Sequence, residues 1–422
     1  MVLPYLPLFV CHYNQSISKF RLSILDYLNL DIADKRIIFA KTRIKMNPFF
    51  LTGIIPDAYF CDREKETETI ITHLENQSNI LLTSSRRMGK TQLIRHIFNN
   101  DRIREKYYTF YTDIYATSSL RELVFFLGKE IYQRLVPGEK KALKLFLGTI
   151  RSLAAAFGMD PVTGEPRINL QIGNITTPEL TLEEIFDYLE KADRPCLFAI
   201  DEFQQISRYP ETNVEALLRT HIQKMNNCHF IFSGSDRHIL EQMFSSYAKP
   251  FYNSAQPVHL GRIDRDKYIN FVIGQFKSAG VLISSDTVGY CYDEFDGYTY
   301  YNHKVFHDIY ALLRSGASVD KETVEQVVDN ILEENSHTFS EVMSGLPIAQ
   351  KQMLVAVAKE KPARRPTSGA FVRRNALDSP SSAQKAIAKL LDGQLITYTF
   401  AVGEKEYWVA DKFFERWLRE TY

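Results

Sequence analysis

The sequence predicts an α/β fold, a doubly wound parallel sheet followed by a helical segment and a small C-terminal domain of three helices and a hairpin. Three observations predict it. Short apolar runs at residues 79–83, 196–201 and 228–233 alternate with amphipathic stretches, the pattern of buried parallel strands covered by helices on both faces. Two of those runs end in Asp or Ser-Gly, as strands do when their C-terminal ends carry a site. Beyond residue 345, three helical segments are followed by two strand-like runs across Gly403, the order of a winged helix-turn-helix.

The chain has 422 residues, enough for two or three domains, and 45% hydrophobic with 24% charged residues is ordinary globular material. Lys plus Arg equals Asp plus Glu at 51 each, so whole-chain charge argues neither for nor against nucleic acid. No run approaches the ~20 apolar residues needed to cross a bilayer, and no membrane role is expected. Cys11, Cys61, Cys196, Cys228 and Cys291 form no C-x-x-C pair, which suits a reducing cytoplasm and no structural zinc. Residues 1–11 are apolar but short, with two prolines and no positive leading region, so no signal peptide is expected. Residues 1–45 read as a poorly organised leader, with native translation expected to start at Met46.

Residues 59–74 read as an acidic-capped helix with Ile70, Ile71 and Leu74 at helical spacing. Next comes NILLTSSRRMGKT, residues 79–91, an apolar strand running into a tight loop at a helix start. Such a loop aims backbone N–H groups of Ser85, Arg86, Arg87, Met88 and Gly89 at phosphate oxygens, where the helix N-terminus favours negative charge. Lys90 would reach the terminal phosphates, Thr91 would ligate Mg²⁺, and Gln92 continues the helix. Ser84 stands where G-x-x-x-x-G-K-[ST] has its first glycine. These residues predict a P-loop nucleotide site for ATP and Mg²⁺.

Residues 107–115 read as a strand and 120–135 as a helix; a Thr-Gly turn and the run INLQIGNI within 163–175 suggest a small β insertion before a helix at 182–192. CLFAIDE, residues 196–202, is an apolar strand ending in two carboxylates. Asp201 would hold Mg²⁺ and Glu202 would activate water. CHFIFS, residues 228–233, runs into Gly234-Ser235. Arg262, Arg237 and Arg208 are the candidates for an arginine that stabilises transition-state charge on the phosphoryl group.

Residues 264–334 read as helical. Domain boundaries are expected at 46–262 for the P-loop core, 263–340 for a helical lid and 341–422 for the winged helix. The last domain should hold helices at 346–358, 368–376 and 382–391, the third capped by Ser381 or Ser382, a hairpin of 396–400 with 406–409, and a closing helix. Lys361, Arg364, Arg365, Arg373, Arg374, Lys385 and Lys389 against the single acid Asp378 predict a phosphate-contacting patch for duplex DNA, backbone contact more than base readout.

The order SSRRMGKT, AIDEFQQI, FSGS, LGRI and GYTYY, from about residue 47 to the C-terminus, resembles the archaeal-type ATPase family, a branch of the STAND and AAA+ P-loop ATPases common in archaea and in Bacteroides-like bacteria. The resemblance implies a γ-phosphate sensor at Ser233 or Ser235. It also implies a base-side turn of the form F-x-G-R-E, matched by Phe60, Arg63 and Glu64 with Asp62 in the glycine position. A lid turn contacting nucleotide would fall on Gly297 and Tyr298, with Thr299 replacing the family's proline. His303 and Lys304 lie beyond it, candidates to approach phosphate but more in keeping with a solvated helix face.

The expected function is therefore a slow, Mg²⁺-dependent ATPase acting as a switch, with lid and winged helix rearranging and a protein partner or second copy as candidate associates. The alternative is a DNA-binding regulator in which nucleotide is structural.

Overall fold

The computed structural model describes residues 46–152, 157–159, 166–168, 175–312, 316–401 and 403–422. The architecture below belongs to the unit Pro48–Tyr422. The expected leader, Cys11 and most of the insertion at 163–175 lie outside the described residues.

The elements run α1 (Glu64–Glu75), β1 (Ile80–Thr83), α2 (Lys90–Asn99), α3 (Asp101–Arg104), β2 (Tyr108–Asp113), α4 (Leu120–Leu135) and α5 (Lys140–Thr149). A short antiparallel pair, β3 (Phe157–Met159) and β4 (Pro166–Ile168), precedes α6 (Pro178–Lys191). Then come β5 (Cys196–Asp201), a 3₁₀ turn at Phe203–Arg208, α7 (Val214–Ile222), β6 (Cys228–Gly234), α8 (Arg237–Ser245) and β7 (Gln256–His259). Five strands form one sheet in the order β2-β5-β6-β1-β7, every neighbouring pair parallel.

Alternation within the strands divides the core between two faces. Ile80, Leu82, Leu197, Ala199 and Ile231 pack under α1 and α2. Leu81, Phe198, Ile200, Phe230 and Phe232 pack under α4 to α8. The site therefore sits where such sheets place it, at the C-terminal ends of β1, β5 and β6.

The helix expected from residue 59 begins at Glu64 instead. Asp62 and Arg63 take left-handed backbone angles, φ 60° and 81°, which no continuous helix accommodates. A glycine at 62 would adopt that angle without strain.

The lid is α9 (Arg265–Ser278), β8 (Leu282–Ile283), α10 (Ser285–Glu294), α11 (Thr299–Leu312), β9 (Ser318–Val319) and α12 (Lys321–Gly345). The C-terminal part adds α13 (Ile348–Glu360), β10 (Ala363–Arg364), α14 (Gly369–Arg374), α15 (Pro380–Asp392), the hairpin β11 (Ile396–Ala401) and β12 (Glu404–Val409), and α16 (Lys412–Thr421). β10 joins the hairpin as a third strand. The cap of α15 is Ser379, whose Oγ accepts from Ser382 N, rather than Ser381 or Ser382. Pro380 occupies the first helical position, which needs no donor, and so places the cap on the residue before it.

The boundary expected at 340/341 falls inside α12. One apolar cluster runs from Ile263 through Phe306 and Leu332 to Leu354, Leu390 and Leu418, so lid and winged helix share a single core. Buried charges reinforce it. Lys412 pairs with Glu415 at 3.0 Å and Asp296 at 2.9 Å, and Arg416 reaches Glu294 and Glu325.

Candidate nucleotide site

The phosphate loop follows β1. Ser84 is fully buried, its Oγ donating to the Ser85 carbonyl at 2.8 Å, so it braces the loop from beneath. Gly89 has φ 91° and caps α2, a left-handed position that favours glycine. Lys90 opens the helix and is buried. Burial pulls its pKa down, while Asp201 and Glu202 hold its charge.

Asp201, at the end of β5, is the hub. Its Oδ2 accepts from Thr91 Oγ1 at 3.0 Å and Tyr111 Oη at 2.9 Å, and its Oδ1 accepts from Ser233 Oγ at 2.6 Å and Glu202 N at 3.0 Å. Glu202 is left-handed at φ 56°. Its Oε2 accepts from Ser235 Oγ at 2.9 Å and from the Gln204 amide.

Lys90, Thr91, Asp201, Glu202 and Ser235 line a cavity of about 480 Å³. Its polar lining includes Arg86, Arg87, Gly89, Lys90, Thr91, Asp201, Glu202 and Ser235, and its apolar lining Phe50, Leu51, Ile55, Tyr59, Phe60 and Ile263. Met88, Gln92 and Arg63 also line it, the Arg63 guanidinium fastened to the Gly261 carbonyl at 2.8 Å and to Glu66 at 2.9 Å. A lining that combines charged and apolar side chains suits a phosphorylated ligand with a flat, largely apolar base.

Several expected residues stand elsewhere. Ser233 lies behind Asp201 and not on the cavity wall, so of the two sensor candidates only Ser235 faces the cavity. Ser85 lines a second cavity of about 300 Å³, with Arg237, His238 and Tyr398. Arg262 is exposed and off the cavity wall, as is Arg208, and Arg237 pairs with Glu241. Glu64 is exposed and paired with Lys267.

The lid enters the cavity through Thr299, Tyr300 and His303 rather than through Gly297 and Tyr298; Tyr298 faces the second cavity. His303 does not sit on a solvated face. It is buried between Tyr268 and Phe271, with Nδ1 3.1 Å from Tyr268 Oη, and burial pulls its pKa down to about 4. Lys304 pairs with Asp308 at 2.6 Å.

Residues 60–305 match the family of ATPase domains found predominantly in Archaea, and residues 337–420 match a probable winged helix domain. The chain belongs to this archaeal ATPase family. An uncharacterized ATP-binding protein of Methanocaldococcus jannaschii is 26% identical over 208 residues, 44% of this chain, and the match spans about half (48%) of that relative's length. The Walker-type ATPase of Pyrococcus abyssi superposes with a TM-score of 0.61 at 18% identity, covering 88% of this chain and 99% of that one. The ADP form of the Aeropyrum pernix ORC2 protein gives 0.53 at 14%, covering 88% and 97%. These two likenesses establish the shared fold.

In this archaeal-type ATPase the donors available to a cation are hard oxygens. Among the described residues no cluster of three or more His, Cys, Asp or Glu could hold a metal. Thr91 Oγ1 and Asp201 Oδ2 fit Mg²⁺, which takes one or two protein oxygens and completes its shell with phosphate and water.

On the winged-helix surface of the ATPase most of the expected basic patch is ion-paired. Lys361, Arg364, Arg365, Arg374 and Lys389 pair with Glu415, Glu406, Glu404, Glu360 and Asp392. Of the seven, Arg373 and Lys385 alone make no ion pair among the described residues. The acids lie outside the window that made the segment look basic, and β10 pairing with β12 brings two of them across. Among the described residues no helix is long and apolar enough to cross a membrane.

Three contributors carry no local sequence signal. Tyr111 reaches Asp201 from the neighbouring strand, Gln204 reaches Glu202 across a turn, and Arg87 stacks on Tyr300 at 4.5 Å. For Tyr111 the clue is register, since Asp113 pairs with Asp201 two residues on.

Proposed function

We propose that the chain binds ATP with Mg²⁺ in the cavity at the head of α2 and hydrolyses it slowly, using the cycle as a switch. The observation that carries this reading is the convergence of Thr91 and Asp201, 3.0 Å apart, with Lys90, Glu202 and Ser235 on one cavity wall. Loop N–H groups from Ser85 to Gly89 and the α2 N-terminus bind the phosphates, and Lys90 adds a positive charge at the terminal one. Mg²⁺ on Thr91 and Asp201 would neutralise charge on the phosphate oxygens. Glu202 takes a proton from the attacking water, and Ser235 senses the γ-phosphate. Arg262, exposed on its own chain, serves as finger toward a neighbouring copy. The apolar lining, with Arg63 bracing the wall, takes the base.

Lid and winged helix share a core, which supports their moving together, with Phe49, Cys61 and Met88 of the P-loop part packed into the same core. In the alternative, nucleotide is structural and the winged helix regulates DNA; the paired basic side chains favour the switch.

Steady-state ATP turnover by the full chain, beside Glu202→Gln, tests the reading. Glu202→Gln should keep ATP binding and lose turnover about 10²- to 10⁴-fold. A wild-type chain that binds ATP without turning it over would leave nucleotide as a structural ligand.

A further inference from the structure

We infer that Gln204 is a positioning residue for Glu202, holding one carboxylate oxygen so that the other serves the water; this rests on the hydrolytic reading above. All three donors to the Glu202 carboxylate converge on Oε2. They are Gln204 Nε2 at 2.5 Å, Ser235 Oγ at 2.9 Å and Ser235 N at 3.3 Å. Among the described residues no donor reaches Oε1, and Glu202 faces the cavity. A carboxylate pinned by one oxygen keeps the other in a fixed place, which is what proton abstraction from a positioned water requires.

The surroundings of Gln204 favour this role over a merely structural one. The side chain is 5% exposed, and its own Oε1 is buried without a hydrogen-bond partner. An orphaned buried amide oxygen is destabilising, so an apolar side chain would serve packing better. Buried groups that work against stability cluster at functional sites.

Gly234 makes the arrangement fit. A Cβ there would lie 2.0 Å from Gln204 Oε1, 2.9 Å from Leu240 Cδ1 and 3.1 Å from Gln204 Cδ. Gly234 does not take the left-handed backbone that would otherwise explain a glycine at the end of β6. Its missing side chain is the space that the amide shares with Leu240. The 3₁₀ turn is anchored by Phe203, packed among Phe232, Phe244 and Phe251, and by Gln205 N donating to the Glu202 carbonyl at 2.9 Å.

In the step served, the water oxygen forms a bond to the γ-phosphorus while the bond to the β–γ bridging oxygen breaks, its electron pair leaving with ADP. One water proton passes to Glu202 Oε1 and on to solvent, and the other stays with the inorganic phosphate. Gln204 touches neither water nor phosphate and acts through Glu202.

The test uses the full chain with Mg²⁺ and ATP, in Gln204→Leu and, separately, Gly234→Ala. Each should lower kcat about 10- to 100-fold and leave KM and ATP affinity within about twofold. Gln204→Leu should melt no lower than wild type, since it removes the orphaned oxygen. In the Glu202→Gln background Gln204→Leu should cost nothing further, because the two residues act as a unit. An equal loss in both backgrounds, or a raised KM with kcat unchanged, overturns the inference. Wild-type turnover matched by Gln204→Leu overturns it alone, whereas ATP binding without turnover in the wild type sinks the hydrolytic reading and the inference with it.

Discussion

The Arg87 guanidinium of the phosphate loop lies 3.3 Å from the Asp411 carboxylate that caps the last helix of the winged helix. The same guanidinium stacks on Tyr300, and the Arg87 carbonyl accepts from Tyr300 N at 3.2 Å. A residue of the nucleotide cavity is thus tied to the lid and to the C-terminal body at once. Both charges are partly exposed, at 42% and 33%, so the pair is weak and a triphosphate can outcompete it.

Asp411→Asn should therefore tighten ATP binding, by about two- to fivefold for a partly exposed pair. Asparagine keeps the cap that Asp411 Oδ1 makes with Phe413 N and Phe414 N, so the helix should persist. Calorimetric titration of both chains decides it. Weaker binding in the variant would mean that Arg87 does not turn toward the phosphates.

His303 predicts an acid sensitivity. Its folded pKa, about 4, lies below the unfolded value of about 6.5, so the unfolded chain binds the proton first as pH falls. Stability should be lost from about pH 6.5 down to about 4, by at most about 3 kcal/mol, with no further loss from this group below that. The slope of melting temperature over this window should be shallower in His303→Gln. Parallel slopes would remove His303 as the cause.

The Lys412–Glu415 pair, each side chain 1% exposed, predicts a strong asymmetry. Burial opposes both charges, yet Glu415 and Asp296 outweigh it at Lys412 and raise its pKa. Lys412→Met leaves Glu415 and Asp296 only the more distant Lys361, at 3.6 and 3.7 Å, and should cost about 3 kcal/mol in urea unfolding. Lys412→Met with Glu415→Leu should recover more than half of that. A double variant no better than the single would show that packing, and not charge, carries the loss.

The paired basic residues predict weak duplex DNA binding. Two unpaired cations, Arg373 and Lys385, would give a log–log salt slope of about −2, against about −6 for seven free ones. Fluorescence anisotropy with the full chain between about 50 and 200 mM salt measures it. A steep slope would mean that the ion pairs open on DNA.

The sequence by itself determined the parallel sheet, the phosphate loop and the strand ending in Asp201 and Glu202. Those features are local: strand burial leaves continuous apolar runs, and a tight turn at a helix N-terminus needs its Gly-Lys-Thr within a few residues. The tertiary structure alone decided which polar groups meet across the sheet. Tyr111 and Asp201 are 90 residues apart and face one another through strand register, and Arg87 and Asp411 through the seat of the winged helix on the loop. It also decided which charges are free and which histidine is buried. His303 sits on a helix whose polar face happens to meet Tyr268 and Phe271, and five basic side chains meet carboxylates supplied from outside their own stretch. The physical reason is that desolvation and pairing depend on the partner surface, which no periodicity in a single element encodes.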